Sequence, residues 1–275
     1  MNNKDFKIVV LAKQVPDTHN VGKNAMKEDG TINRAALPAI FNPDDLKALE
    51  MALACKNAIS YVSTGISVTV TIITMGPSRA AEIILESMFR GADDGIVISD
   101  KRFAGSDTLA TSYALSMAVK KLGKVDLVFA GHQAIDGDTA QVGPQVAEKL
   151  EIPQVTYAEE LISLNENEIV IKRRLERGVE VVKSPLPALV TVHSNANECR
   201  PRRAERVIMC KKNQIDEWTA DDINPDFERL GMNGSPTKVK SIENVVLTSK
   251  ENKIINNNES EISELMKELI TTHII

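Results

Sequence analysis

Through the first 150 residues, short apolar runs alternate with longer stretches whose apolar residues recur every three or four positions. Stacked strand–helix units around a mostly parallel sheet give this pattern, so it predicts an α/β fold. "KIVVLA" (7–12), "SVTVTIITM" (67–75), "DGIVIS" (94–99) and "VDLVFA" (125–130) read as strands. Helices are predicted over 42–59, 78–91, 105–123 and 141–150, where Asn, Pro, Asp, Ser or Thr stand at the starts and Gly91 and Gly123 at two of the ends. Pro144 suits the first turn of the last of these.

After residue 151 the pattern changes. Residues 160–192 hold strand-like runs separated by Asn and Gly, which predicts a hairpin or meander. From 213 the chain is polar and rich in turn formers until an amphipathic helix over 259–274. The organisation expected is an α/β domain over 1–212, with the hairpin region at about 151–192, and a C-terminal arm over 213–275.

Composition narrows the function. Of 275 residues 43% are hydrophobic, enough for a substantial core, and a net charge of -5 argues against bulk nucleic-acid binding, although "CRPRRAERVIMCKK" (199–212) is locally basic. Cys55, Cys199 and Cys210 are too scattered for a disulfide framework or a metal site, and His19, His132, His193 and His273 are dispersed. No apolar stretch reaches the roughly 18 residues of a membrane span. A soluble protein of a reducing cytoplasm, without a resident metal, is expected.

In open parallel sheets ligands bind outside the carboxyl ends of the strands. The loops predicted there are "KQVPD" (13–17), "GPSR" (76–79), "AGSDT" (104–108) and "GHQAIDGDTAQ" (131–141), joined by the helix start "FNPDD" (41–45). Helix starts and glycine-flanked turns suit phosphate. The chain has no phosphate-loop motif, no Gly-x-Gly-x-x-Gly after its first strand and no nucleophile elbow. Ser106–Asp107–Thr108 and Asn42–Asp45 read more readily as helix caps than as ligand contacts, Met75 more readily as core, and His132 equally as an ordinary surface residue. In residues 131–141, however, Gln133, Asp136, Asp138 and Gln141 exceed what capping one helix requires.

Taken in order, "VVLAKQVPDT", "FNPDDLKALEMAL", "MGPSRAAEIILESMFRGAD", "SDTLATSYALS", "GHQAIDGDTAQVGPQVAEKL", "LPALVTV" and parts of "NECRPRRAERVIM" resemble the beta subunit of electron-transferring flavoproteins of the FixA type, over nearly the whole chain. The resemblance implies a Rossmann-like or flavodoxin-like subunit paired with an alpha subunit that carries one FAD. It also implies a nucleotide held by the beta subunit: AMP in simple members, or a second FAD that takes hydride from NADH in electron-bifurcating members. The contacts it implies fall on Leu11, Ala12, Asn42, Pro43, Asp44, Asp45, Met75 and the loop Gly131, His132, Gln133, Ala134, Ile135, Asp136, Gly137, Asp138, Thr139, Ala140, Gln141 and Val142. Ser106, Asp107, Thr108 and Thr111 are similar to the bifurcating members and add hydroxyls. Gly137 and Thr139 look like the FAD-binding version of the loop. No catalytic side chain is implied, because the redox chemistry is the flavin's. Arg173 and Arg174 offer charge near a flavin or the alpha subunit, against the simpler reading of a solvated strand face.

Two departures stand out. His132 replaces the Arg or Lys of many members, and "PRRAERV" lacks the leucine expected before "IM", which points from an acyl-CoA dehydrogenase partner toward a flavin-dependent, lactate-type dehydrogenase. Ferredoxin or flavodoxin would be the low-potential acceptor. A hydrolase or ligase of the adenine-nucleotide α/β type would want a Ser-Gly-Gly-x-Asp-Ser loop where this chain has "KQVPDT".

Overall fold

The computed structural model describes residues 4–17, 38–62, 65–237, 254–272 and 274. His19 and His273 lie outside them. The strands are β1 (Lys4–Leu11), β2 (Gln14–Pro16), β3 (Ala39–Phe41), β4 (Ile66–Met75), β5 (Asp94–Ile98), β6 (Leu127–Gly131), β7 (Gln154–Leu164), β8 (Glu168–Leu175), β9 (Gly178–Pro185), β10 (Ala188–Val192) and β11 (Asp216–Trp218). The helices are α1 (Pro43–Val62), α2 (Ala81–Arg90), α3 (Thr108–Lys121), α4 (Val142–Leu150), α5 (Ala204–Met209) and α6 (Glu259–Thr271).

A nine-stranded sheet runs in the order β11-β5-β4-β1-β6-β10-β7-β8-β9. From β11 to β7 every pair is parallel, and β8 and β9 continue antiparallel. Period-two alternation divides β1 between two cores. Ile8 and Val10 pack with Leu49 and Leu53 of α1 and Ile84 of α2, whereas Val9 and Leu11 pack with Tyr113 and Leu115 of α3 and Val146 of α4. Helices therefore cover both faces, and β6 and β10, buried at every position, are apolar without alternation, as central parallel strands are.

Two parts differ from the sequence reading. The expected meander exists as β7–β8–β9, but β10, which the reading placed within it, returns between β6 and β7 as a central strand. The polar segment after 213 contributes β11, whose Trp218 pairs with Ile98, and sends Ala220, Ile223 and Leu230 into the core beside α3. Further on, α6 begins at Asn258, whose side chain accepts from the Glu261 N–H, and leaves Ile262, Met266 and Ile270 exposed. Among the described residues no helix is long and apolar enough to cross a membrane.

Candidate functional site

β4 and β5 lie to one side of β1, and β6, β10 and β7 to the other. The strand order thus reverses between β1 and β6, the point at which a crevice opens beyond the carboxyl ends. A cleft of about 390 Å³ lies there. Leu11, Ala12 and Lys13 at the end of β1, Met75 of β4, and Ala130 and Gly131 of β6 form its floor. One wall is the loop His132, Gln133, Ala134, Gly137, Asp138, Thr139, Ala140 and Gln141, running into Val142 and Gly143 of α4. The opposite wall is Ser106, Asp107, Thr108, Thr111 and Leu115 at the start of α3, with Asp45 reaching in from α1.

The start of α1 ties these parts together. Asp45 is buried and accepts from two main-chain N–H groups, Lys13 at 2.8 Å and Gly131 at 2.9 Å, so one carboxylate joins the ends of β1 and β6. Burial pushes its carboxyl up to about 7, more than those N–H groups and Asn42 pull it down. Asn42 does not cap its own helix with its side chain; its amide donates to the Gln133 carbonyl (2.9 Å) and accepts from the Ile135 N–H (3.2 Å). Gly131 is glycine for a packing reason, since a Cβ there would lie 2.5 Å from Asp45 Oδ1 and 2.7 Å from Asp44 Cβ.

The two helix starts differ in a way that matters to an anion. Asp107 caps α3 with its own carboxylate, accepting from the Leu109 and Ala110 N–H groups. It accepts from the Thr237 N–H as well; burial works against its charge, yet these three N–H groups hold it below the usual carboxylate range. No side chain caps α4, whose first residues line the cleft. The N–H groups of Val142 and Gly143 have no partner within the helix, and both residues line the cleft. Thr108 Oγ1, 2.8 Å from Gln141 Oε1, closes one wall onto the other. Asp138 (φ 50°) and Ala140 (φ 53°) turn the loop through left-handed backbone, and a Cβ at Gly137 would meet only open space.

The arm braces the α3 wall. Buried Ser235 accepts from the Asp107 N–H (2.8 Å) and donates to the Gly231 carbonyl (2.6 Å). Ser235→Ala should therefore lower stability by about 1–2 kcal/mol and speed proteolytic cleavage of the arm between 213 and 237; equal urea midpoints and cleavage rates would refute the brace.

Beside the cleft, His132 Nδ1 lies 2.7 Å from Asp44 Oδ2. That nitrogen makes no hydrogen bond, so the two groups are close without the alignment of a directed bond. The His132 ring packs against His193 (5.4 Å) and Tyr157 (5.8 Å), and burial together with His132 pulls the His193 pKa below its ordinary value.

Among residues nominated from sequence, Asn42, Pro43, Asp44, Ile135 and Asp136 do not line the cleft; Asn42 anchors the loop through Gln133 and Ile135. Arg173 and Arg174 sit on β8, paired with Glu180 and Glu159 away from the cleft. Lys13, Leu115, Ala130 and Gly143 line it without having been nominated. Lys13 lay in the loop 13–17 already placed at this edge, Ala130 and Gly143 adjoin nominated positions, and Leu115 lies one helical turn beyond Thr111; Ser235, 128 residues from its partner Asp107, carried no signal. No group of His, Cys, Asp and Glu able to hold a metal occurs among the described residues.

Comparison with known proteins matches residues 29–223 to the model of the electron transfer flavoprotein domain. The chain belongs to the electron transfer flavoprotein family. Within the family it is a beta subunit of the FixA type. The electron transfer flavoprotein subunit beta of Clostridium acetobutylicum is 46% identical over 233 residues, which cover 85% of this chain and 86% of the relative. The caffeyl-CoA reductase-Etf complex subunit CarD of Acetobacterium woodii is 42% identical over 234 residues, covering 85% and 86%. Protein FixA of Sinorhizobium fredii is 39% identical over 274 residues, covering 96% and 92%. The family's work is electron transfer by flavoproteins, and its mostly parallel α/β fold is the one found here.

Proposed function

We propose that the chain pairs with an electron transfer flavoprotein alpha subunit and holds FAD in the cleft, passing electrons from NADH to a partner dehydrogenase and to a low-potential acceptor such as ferredoxin or flavodoxin. The observation that carries this reading is the uncapped start of α4, opening on a cleft at the switch point of the sheet. A phosphate group fits that site without any dedicated lysine loop. Open space at Gly137 and the hydroxyl-bearing start of α3 leave room for a second phosphate and a flavin. When bound, FAD would supply the hydride and single-electron chemistry itself. The chain's part is to bind and orient: Val142 and Gly143 toward phosphate, Leu11 and Met75 as apolar floor, Leu115 as apolar wall, Thr111 as a hydroxyl donor, and Thr108 as the hydroxyl that holds Gln141.

A reading with structural AMP in the same cleft is favoured by one observation, the volume of about 390 Å³, near the lower end for ligand sites. The partner dehydrogenase would meet α5, where Val207, Ile208 and Met209 are exposed. The name of the Acetobacterium woodii relative, a subunit of a reductase complex, supports such a partner. The basic, leucine-free approach to α5 favours a lactate-type enzyme over an acyl-CoA dehydrogenase.

Counting cofactors in the purified alpha/beta pair separates the readings. Two FAD per pair is expected, one FAD with one AMP would establish the alternative, and no flavin would overturn both. Thr139, exposed on the loop, adds a second check: Thr139→Trp should remove the beta-bound nucleotide and leave the alpha-bound FAD, and retention of both would place the nucleotide elsewhere.

A further inference from the structure

Lys13 is the only lysine or arginine lining the cleft among the described residues. The acids around it are Asp45, Asp107 and Asp138, and the remaining ionisable neighbour, His132, is held against Asp44. A nucleotide phosphate entering this wall meets mostly negative side chains, and it needs a counter-charge that costs little to release. Lys13 answers that description. Its main chain is fixed from both sides, by the bond to Asp45 and by the Asn42 N–H donating to its carbonyl at 3.0 Å, so only its side chain is free to swing. That side chain now points to Asp136, with Nζ 2.6 and 2.8 Å from the two carboxylate oxygens. The pair is solvent-accessible, at 48% for Lys13 and 25% for Asp136, and Asp136 does not line the cleft. Exposed pairs of this kind are weak and exchange partners readily.

We infer that Lys13 is a phosphate-binding residue of this cleft, parked on Asp136 until a nucleotide arrives and then transferred to its phosphate. The inference rests on the nucleotide reading above. It makes Asp136 a competitor of the ligand, so the two partners have opposite effects. It also makes the contribution of Lys13 specific to phosphate and sensitive to salt.

Calorimetric titration of the full chain with adenosine, AMP and FAD tests this, using Lys13→Gln and Asp136→Asn. Lys13→Gln should weaken AMP and FAD binding about tenfold, as loss of one charge-assisted bond does, and flatten the salt dependence, while leaving adenosine unchanged. Asp136→Asn should bind AMP and FAD as tightly as the wild type or tighter. If both variants weaken all three ligands alike, the pair merely fastens the loop and the inference fails; it fails too if Lys13→Gln changes nothing. A wild-type chain that binds neither AMP nor FAD would instead remove the nucleotide reading itself. Both side chains are partly exposed, and thermal unfolding of the two variants within a few degrees of the wild type verifies the fold.

Discussion

Gly131→Ala should destabilise the protein by about 3 kcal/mol and empty the cleft. The added Cβ would stand 2.5 Å from Asp45 Oδ1 and 2.8 Å from the Asp44 carbonyl carbon, distances no packed interior accepts. Relief requires the start of α1 to retreat from the end of β6. That retreat breaks the Gly131 N–H bond to Asp45 and, through Asn42, loosens the anchor of the main loop at Gln133 and Ile135. The check is a urea unfolding midpoint at constant slope, together with adenine nucleotide released from the purified protein. Gly137→Ala serves as the comparison, because its Cβ meets nothing within 4 Å, and its stability should match the wild type. Equal midpoints for both variants would show that Gly131 is no close-packing point.

The second large effect is one of pH. In the folded protein the Asp45 carboxyl titrates at about 7 instead of 3.8, because burial penalises its charge. The folded state therefore holds this proton more tightly than the unfolded chain does. The resulting stabilisation is complete below about pH 4 and is lost as pH rises through about 7, a span on the order of 4 kcal/mol. Asp45→Asn does not titrate. Between pH 4 and 8 its stability, relative to the wild type, should shift in the variant's favour by several kcal/mol, measured as urea unfolding at a series of pH values. A constant difference across that range would mean that Asp45 is not the group responsible. The same titration bears on the proposed ligand, since an ionised Asp45 adds negative charge to the lining of the cleft.

How far the sequence disclosed this structure depended on where each residue's reason lies. β1, β4, β5 and β6 and the first four helices carry their pattern locally, in runs such as "KIVVLA" and in the framing of 105–123 by Asp107 and Gly123. The edge that holds the cleft followed, because strand–helix grammar fixes which loops share it, whereas the reversal of strand order between β1 and β6 is tertiary. β10 was harder. "ALVTV" is apolar throughout, which suits a buried parallel strand, but its position after a meander made a hairpin the natural reading. β11, "DEW", has no strand pattern and exists because β5 offers it an edge. At the site, Asp44 and Asp45 look like any acidic helix start; what separates them is tertiary, with Asp45 turned to two main-chain donors and Asp44 to His132. Lys13 lay in a loop already singled out, yet its partner stands 123 residues away, beyond the reach of any local pattern.

The brace on the α3 wall sets an order of events in the making of the protein. Asp107 waits for a hydroxyl 128 residues later and for an N–H 130 residues later. A chain emerging from the ribosome completes every strand from β1 to β10, and with them the floor of the cleft, before Ser235 and Thr237 have been synthesised. Until then the cap of α3 lacks two of its ties. A chain stopped short of 235 thus lacks both the hydroxyl and the N–H that tie Asp107, at the start of α3, to the arm.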